Sequence, residues 1–157
     1  MNSLFDPASF LSQETTEAAT KRPPIPAGDY TAVVKEVKPR QWTSKDGSKS
    51  GLAFDIPLTL ELPGDVQTAC GLDKPELTLT DSVFVDLTES GLMDWATGKN
   101  RGLRYYREAT GQNVAGQPWS PMKLVGQPLK VKIGHRIIDQ GPAAGEITEE
   151  IKGVAKP

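Results

Sequence analysis

The sequence predicts a mostly β fold, a small barrel or sandwich of four or five strands with one short helix. Three observations predict it. Apolar and polar residues alternate in three separate runs, residues 51–62, 77–87 and 129–138. That two-residue period belongs to strands with one face buried. Turn formers separate the runs, above all Gly28-Asp29 and the hairpin signal Asp46-Gly47. Only residues 103–110, LRYYREAT, are helical in composition, and Gly111 stands where a C-terminal cap belongs. Short strands with large loops and one helix suit a small barrel or sandwich.

Residues 1–24 read as a flexible N-terminal arm. They are rich in Ser, Thr and Glu, then in Pro, which forbids helix from Lys21 to Gly28. A short helix fits within residues 7–19, and Phe5 and Phe10 are the arm's only aromatics. The folded domain is expected over residues 25–157. YTAVVKEV (30–37) is β-branched and reads as a strand. PRQWTSKDGSKS (39–50) reads as a polar loop around the hairpin turn. In GLAFDIPLTLEL (51–62), Leu52, Phe54, Ile56, Leu58 and Leu60 share one face. Pro57 assigns that strand to an edge or a bulge. Residues 63–75 form a connecting loop. In 77–87, Leu77 and Leu79, then Val83, Val85 and Leu87, alternate as one strand or as two broken near Asp81. Residues 88–102 are mixed and 112–122 form a loop. In 129–138, Leu129, Val131 and Ile133 oppose Lys130, Lys132 and Gly134. Residues 146–154 make the last strand. No internal repeat or low-complexity segment interrupts the chain.

A chain of 157 residues suits one domain. No stretch approaches the roughly 20 apolar residues of a membrane span, so no membrane partner is expected. The N-terminus lacks a basic start followed by an apolar run, so no cleaved signal peptide is expected. Cys70 is the single cysteine and His135 the single histidine. No internal disulfide, zinc cluster or histidine-based acid–base machinery can be built from them. Phosphate-loop and dinucleotide glycine motifs are absent, as is a G-x-S-x-G elbow. The carboxylates between Asp55 and Asp94 lack calcium-loop spacing and read as solvated faces. The expectation is therefore a protein that is not an enzyme and that uses no cofactor and no metal.

The net charge of −2 hides strong segregation. Residues 35–50 carry +3, residues 51–94 carry −8 and residues 95–136 carry +7. The cations interleave with aromatics. One cluster is Lys35, Lys38, Arg40, Trp42, Lys45 and Lys49, on a strand end and its loop. A second is Lys99, Arg101, Arg104, Tyr105, Tyr106 and Arg107, around the helix. Lys130 and Lys132, with Lys123, His135 and Arg136, lead into and along a late strand. Single-stranded nucleic acid calls for this pairing: cations neutralise phosphates while aromatic faces stack on bases whatever the sequence. Tyr30 and Phe54 read as core, and Trp95 and Trp119 as packing. Trp42, in polar surroundings, reads as exposed. Of Tyr105 and Tyr106, neighbours on a helix, one is expected to face the core.

IPAGDYTAVVKEVK, a polar K-x-G turn and GLAFDIPLTLEL resemble the start of the OB-fold single-stranded-DNA-binding proteins of tailed bacteriophages. The block LRYYREATGQNVAGQPWSPMKLVGQPLKVKIGHR, followed by an acidic turn and EIKGVAKP, resembles their later half. The resemblance covers residues 25–157. It implies a small OB-fold-like barrel of about five strands with one short helix. It implies coating of single-stranded DNA without strong sequence preference during phage replication or recombination. The implied location is the cytoplasm of the infected bacterial host, and replication or recombination proteins are the implied further partners. Self-association into a homo-oligomer is compatible with the sequence. Phosphate contacts would fall to Lys35, Lys38, Arg40, Lys45, Lys49, Arg101, Arg104, Arg107, Lys130 and Lys132. Trp42 and one of Tyr105 or Tyr106 would stack on bases. Two departures stand out: aromatics are only 6% of residues, so phosphate contacts would dominate affinity, and no concentrated acidic tail ends the chain. The rival readings are a phage virion structural or decoration protein with a β-sandwich domain, its arm gripping a neighbour, and an enzyme accessory or inhibitor acting through protein contacts.

Overall fold

A computed structural model describes residues 5–157. Six antiparallel strands form one open sheet: β1 (Gly28–Val34), β2 (Lys38–Thr43), β3 (Ser50–Glu61), β4 (Glu76–Val85), β5 (Pro128–Ile137) and β6 (Ile147–Ala155). The helices are α1 (Pro7–Ser12), α2 (Gly64–Ala69) and α3 (Arg101–Ala109), with a 3₁₀ turn at Pro121–Leu124. The mostly β expectation holds.

Strand β3 organises the sheet. One edge pairs along nearly its whole length with β4, from Leu52↔Val85 to Glu61↔Glu76. The other edge pairs first with β2 and then with β1. Pro57 sits where one partner gives way to the other. Its carbonyl accepts from the Lys35 N–H at 2.9 Å, so its missing N–H falls on that same side, in the gap between the two ladders. A proline is therefore tolerated in the most paired strand, where an edge or bulge was expected. From β1 the sheet continues to β5 and β6, with a bulge at Lys132/Ile133.

The inward faces follow the predicted alternation. Ala32 and Val34, Ile56, Leu58 and Leu60, Val83, and Leu129, Val131 and Ile133 form one core. Leu103, Tyr106 and Ala109 of α3 join it, one turn apart on a single helix face. Gly102 lets the helix lie on β4, because a Cβ there would meet Val83 Cγ1 at 2.5 Å. Asn100 precedes the helix with φ 49°, a left-handed conformation asparagine tolerates. Its buried amide ties the helix to the end of β4, donating to the carbonyls of Asp86 and Asp94 and accepting from the Asp86 N–H.

Three expectations change. The barrel does not close by hydrogen bonding: no ladder joins β4 to β6 among the described residues. Helix α3 packs against both strands, and the Tyr106 hydroxyl donates to Asp81 of β4 at 2.7 Å, so side chains span the gap. Residues 39–43, read as loop, belong to β2, because β3 supplies a complete ladder for them. The connection after β3 contains α2. Contacts reach the arm's C-terminal end, where Lys21 donates to the Ile147 carbonyl and Arg22 pairs with Glu149, and at the start of the domain the Ile25 carbonyl bonds the His135 ring at 2.7 Å. Residues 1–4 of the arm lie outside the described residues.

Candidate nucleic-acid interface

Directly paired residues of antiparallel strands point to the same side, so the registers assign the outer face. Lys38, Arg40 and Trp42 of β2 lie beside Asp55, Ala53 and Gly51 of β3. Ser82 and Phe84 of β4 continue the rows through Asp55 and Ala53. The Trp42 indole covers Gly51, where a Cβ would meet its Nε1 at 2.9 Å. It meets Phe84 edge to face, with centroids 5.6 Å apart and rings at 79°. Ala53 is fully buried at the same level of the sheet. Phe84 is 64% exposed. An outward phenylalanine at an unpaired strand edge leaves a large apolar face in water.

Two cations on this face are already engaged. Arg40 makes a two-pronged pair with Asp55, at 2.8 and 3.3 Å, and Ser82 donates to the same carboxylate at 2.7 Å. The arginine, then the serine, hold the Asp55 carboxyl below its ordinary range. Lys38 lies 3.7 Å from Glu36. The β2–β3 hairpin differs. Asp46 accepts from Ser44 Oγ, Ser48 N and Ser48 Oγ, which lowers its pKa to about 2 and shapes the turn. Lys45 and Lys49 project from that turn, exposed. Among the described residues neither makes an ion pair, and the same holds for Lys35, Arg101, Lys130 and Lys132.

Around the β4 edge lies a cleft of about 420 Å³, between β4, α3 and β6. Phe84, Arg101, Tyr105 and Lys152 line it, with Asp81 and Tyr106 at its buried end. Tyr105 is 43% exposed, and the Arg104 guanidinium lies 5.1 Å from its ring while also pairing with Glu108. Phe84 thus belongs both to the outer face and to the cleft.

Two predicted contact residues are engaged within the fold. Tyr106 is only 2% exposed, and its hydroxyl is spent on Asp81. Burial first, then the Asp81 charge, push its pKa far above the ordinary tyrosine value. Arg107 lies 5.0 Å from the Trp95 ring and 4.6 Å from the Trp119 ring, which themselves pack edge to face. Its Nε is buried without a partner. This arginine is a packing element, because two indoles claim both the charge and the aliphatic stem. Lys130 and Lys132 face outward on β5, opposite Thr31 and Asp29. They lie beyond β1 in strand order and do not join the Trp42–Phe84 surface.

Phe84 and Lys152 were missed as contacts. The signal for Phe84 was present: if Val83 and Val85 face inward, the residue between them faces out. Lys152 gave no signal, since only the approach of β6 to α3 brings it to the cleft. Among the described residues, no cluster of His, Cys, Asp or Glu could hold a metal, and no helix is long and apolar enough to cross a membrane. No protein-family model matches the sequence, and no curated protein is significantly similar to it.

Proposed function

We propose that this chain is an OB-type oligonucleotide-binding module. Three features support the reading. Taking β1 and β2 as two halves of one bent strand, the order β4-β3-β1-β5-β6 has the sequence of a five-stranded, partly open Greek-key barrel, with α3 at the opening. Counted along the chain, with β1 and β2 as the first strand, β3 is the second and β4 the third, and the outer face they share carries Trp42 on the first and Phe84 on the third. The loop between the first and second strands in chain order, residues 44–49, carries the unpaired lysines Lys45 and Lys49. OB folds use that face and that loop for oligonucleotides.

Within that class we propose a single-stranded-DNA-binding protein without strong sequence preference, of the kind tailed phages use in replication or recombination. The single observation that carries this is the Trp42–Phe84 pair beside the Lys45/Lys49 turn. Bases stack on such rings at about 1–3 kcal/mol each. Lysines without partners can neutralise phosphates at no cost in broken ion pairs. The protein binds and does not catalyse.

Titration of the intrinsic tryptophan fluorescence with oligo-dT at low and high salt tests it. Binding quenches Trp42 and weakens steeply with salt. Absence of both quenching and a mobility shift at low salt sinks the reading.

A second reading has its own observation. Helix α1 buries none of its residues, and Phe10 and Leu11 are exposed on it. That suits a virion or assembly protein whose arm grips a neighbour. Co-purification with particles, lost on removal of residues 1–20, would favour it.

A further inference from the structure

The cleft between β4, α3 and β6 combines groups that phosphate contacts and unselective stacking do not require. Its exposed members include two aromatics, Phe84 and Tyr105, two cations, Arg101 and Lys152, and the polar Ser82 and Asp86. Lys152 pairs with Glu150, whereas Arg101 makes no ion pair among the described residues. One of its half-buried members, Asp81, is a carboxylate. Asp81 lies on the inward face of β4, opposite Ile56, and Tyr106 donates to its Oδ2 at 2.7 Å. A carboxylate has about four acceptor positions, so positions remain open toward the cleft. At about 420 Å³ the cleft falls in the range of small-ligand sites. Phe84 also faces the Trp42 surface, so a strand lying on that surface passes the mouth of the cleft.

We propose that this cleft takes one base of the bound strand and selects bases carrying an exocyclic amino group. Phe84 and Tyr105 sandwich the base, Arg101 and Lys152 hold its flanking phosphates, and Asp81 accepts from the amino group. An acidic side chain accepting from the cytosine amino group is an established mode of base discrimination. Thymine presents a carbonyl at the corresponding position and meets the carboxylate with repulsion. The proposal rests on the single-stranded-DNA reading and adds a base preference to it.

The test compares oligo-dC with oligo-dT, each of about 15 nucleotides, by fluorescence anisotropy at low salt on the full chain. Oligo-dC is expected to bind about tenfold tighter, the worth of one charge-assisted hydrogen bond. Asp81→Asn keeps an acceptor for Tyr106 and presents an amide N–H to the cleft, so the preference should disappear or invert toward oligo-dT. Tyr105→Ala should weaken oligo-dC more than oligo-dT. The wild-type comparison needs no variant and stands even if Asp81→Asn fails to fold. Equal binding of the two oligonucleotides overturns the base pocket and leaves the DNA-binding reading intact. A dC preference unchanged in a folded Asp81→Asn protein also overturns the pocket. Binding of neither oligonucleotide overturns the parent reading and the pocket with it.

Discussion

Arg107 and Asp81 show what a residue's neighbours can do to its chemistry. Arg107 belongs to the most basic stretch of the chain, yet its guanidinium lies over both the Trp95 and the Trp119 ring. Arg107→Ala should therefore lower stability by about 1–3 kcal/mol in urea denaturation, with a shift in tryptophan emission. Affinity for oligo-dT should stay within about twofold, since this charge is not offered to phosphate. A larger affinity loss at unchanged stability would return Arg107 to the interface. Asp81 works in the opposite sense. Burial raises its pKa, and the Tyr106 hydroxyl and the Ser82 N–H offset only part of that. An acid with a raised folded pKa stabilises the fold most below its unfolded value, about 3.9, and that contribution is lost as pH rises through the folded pKa. Asp81→Asn should thus melt above the wild type at pH 7. The difference should vanish below pH about 4, where the wild-type acid is protonated too. Equal melting at neutral pH would show that the aspartate's charge costs the fold nothing. None of this could be read one residue at a time: LRYYREAT carries no mark of which tyrosine meets an acid or which arginine meets an indole.

At the level of elements, close approach between α3 and β4 decides the shape of the candidate site. Gly102 is required there because the space for a Cβ is already filled by Val83. Gly102→Ala should cost about 1–3 kcal/mol through overpacking, despite the better helix propensity of alanine. Adding Val83→Ala should restore part of the loss, so the pair should be non-additive in thermal melts. Additive losses would mean that the helix has room to move away. The alternation rules located β3, β4 and β5 to within a residue or two, because each has one face in a shared core. The same rules failed for β2. Its residues KPRQWT hold no alternating apolar set, and it is a strand because β3 extends past the end of β1 with an open edge to fill. Helix α2 is short, buries no residue and was equally unmarked.

For the whole molecule, affinity should rest on charge more than on stacking, since few aromatics are exposed on the proposed face. Lys45→Ala and Lys49→Ala should each weaken oligo-dT binding regardless of sequence, and each should reduce the slope of log K against log salt by about 0.7. Lys130→Ala and Lys132→Ala should leave that slope nearly unchanged, because they lie beyond β1 on another part of the sheet. Equal effects from all four lysines would mean a strand that wraps the sheet. By itself the sequence determined the mostly β class, the hairpin at Asp46-Gly47, the helix capped at Gly111 and the inward-facing residues. Each depends on local sterics or on a two-residue period that a single segment carries. Only the tertiary structure decided that the sheet stays open between β4 and β6, that Trp42 meets Phe84, that Tyr106 turns inward and that Arg107 packs on two indoles. It also brings Phe84, Tyr105, Arg101 and Lys152 around one cleft. Those outcomes join residues from different strands and from α3, and the distance between segments is set by how the core packs, which no single run of sequence encodes.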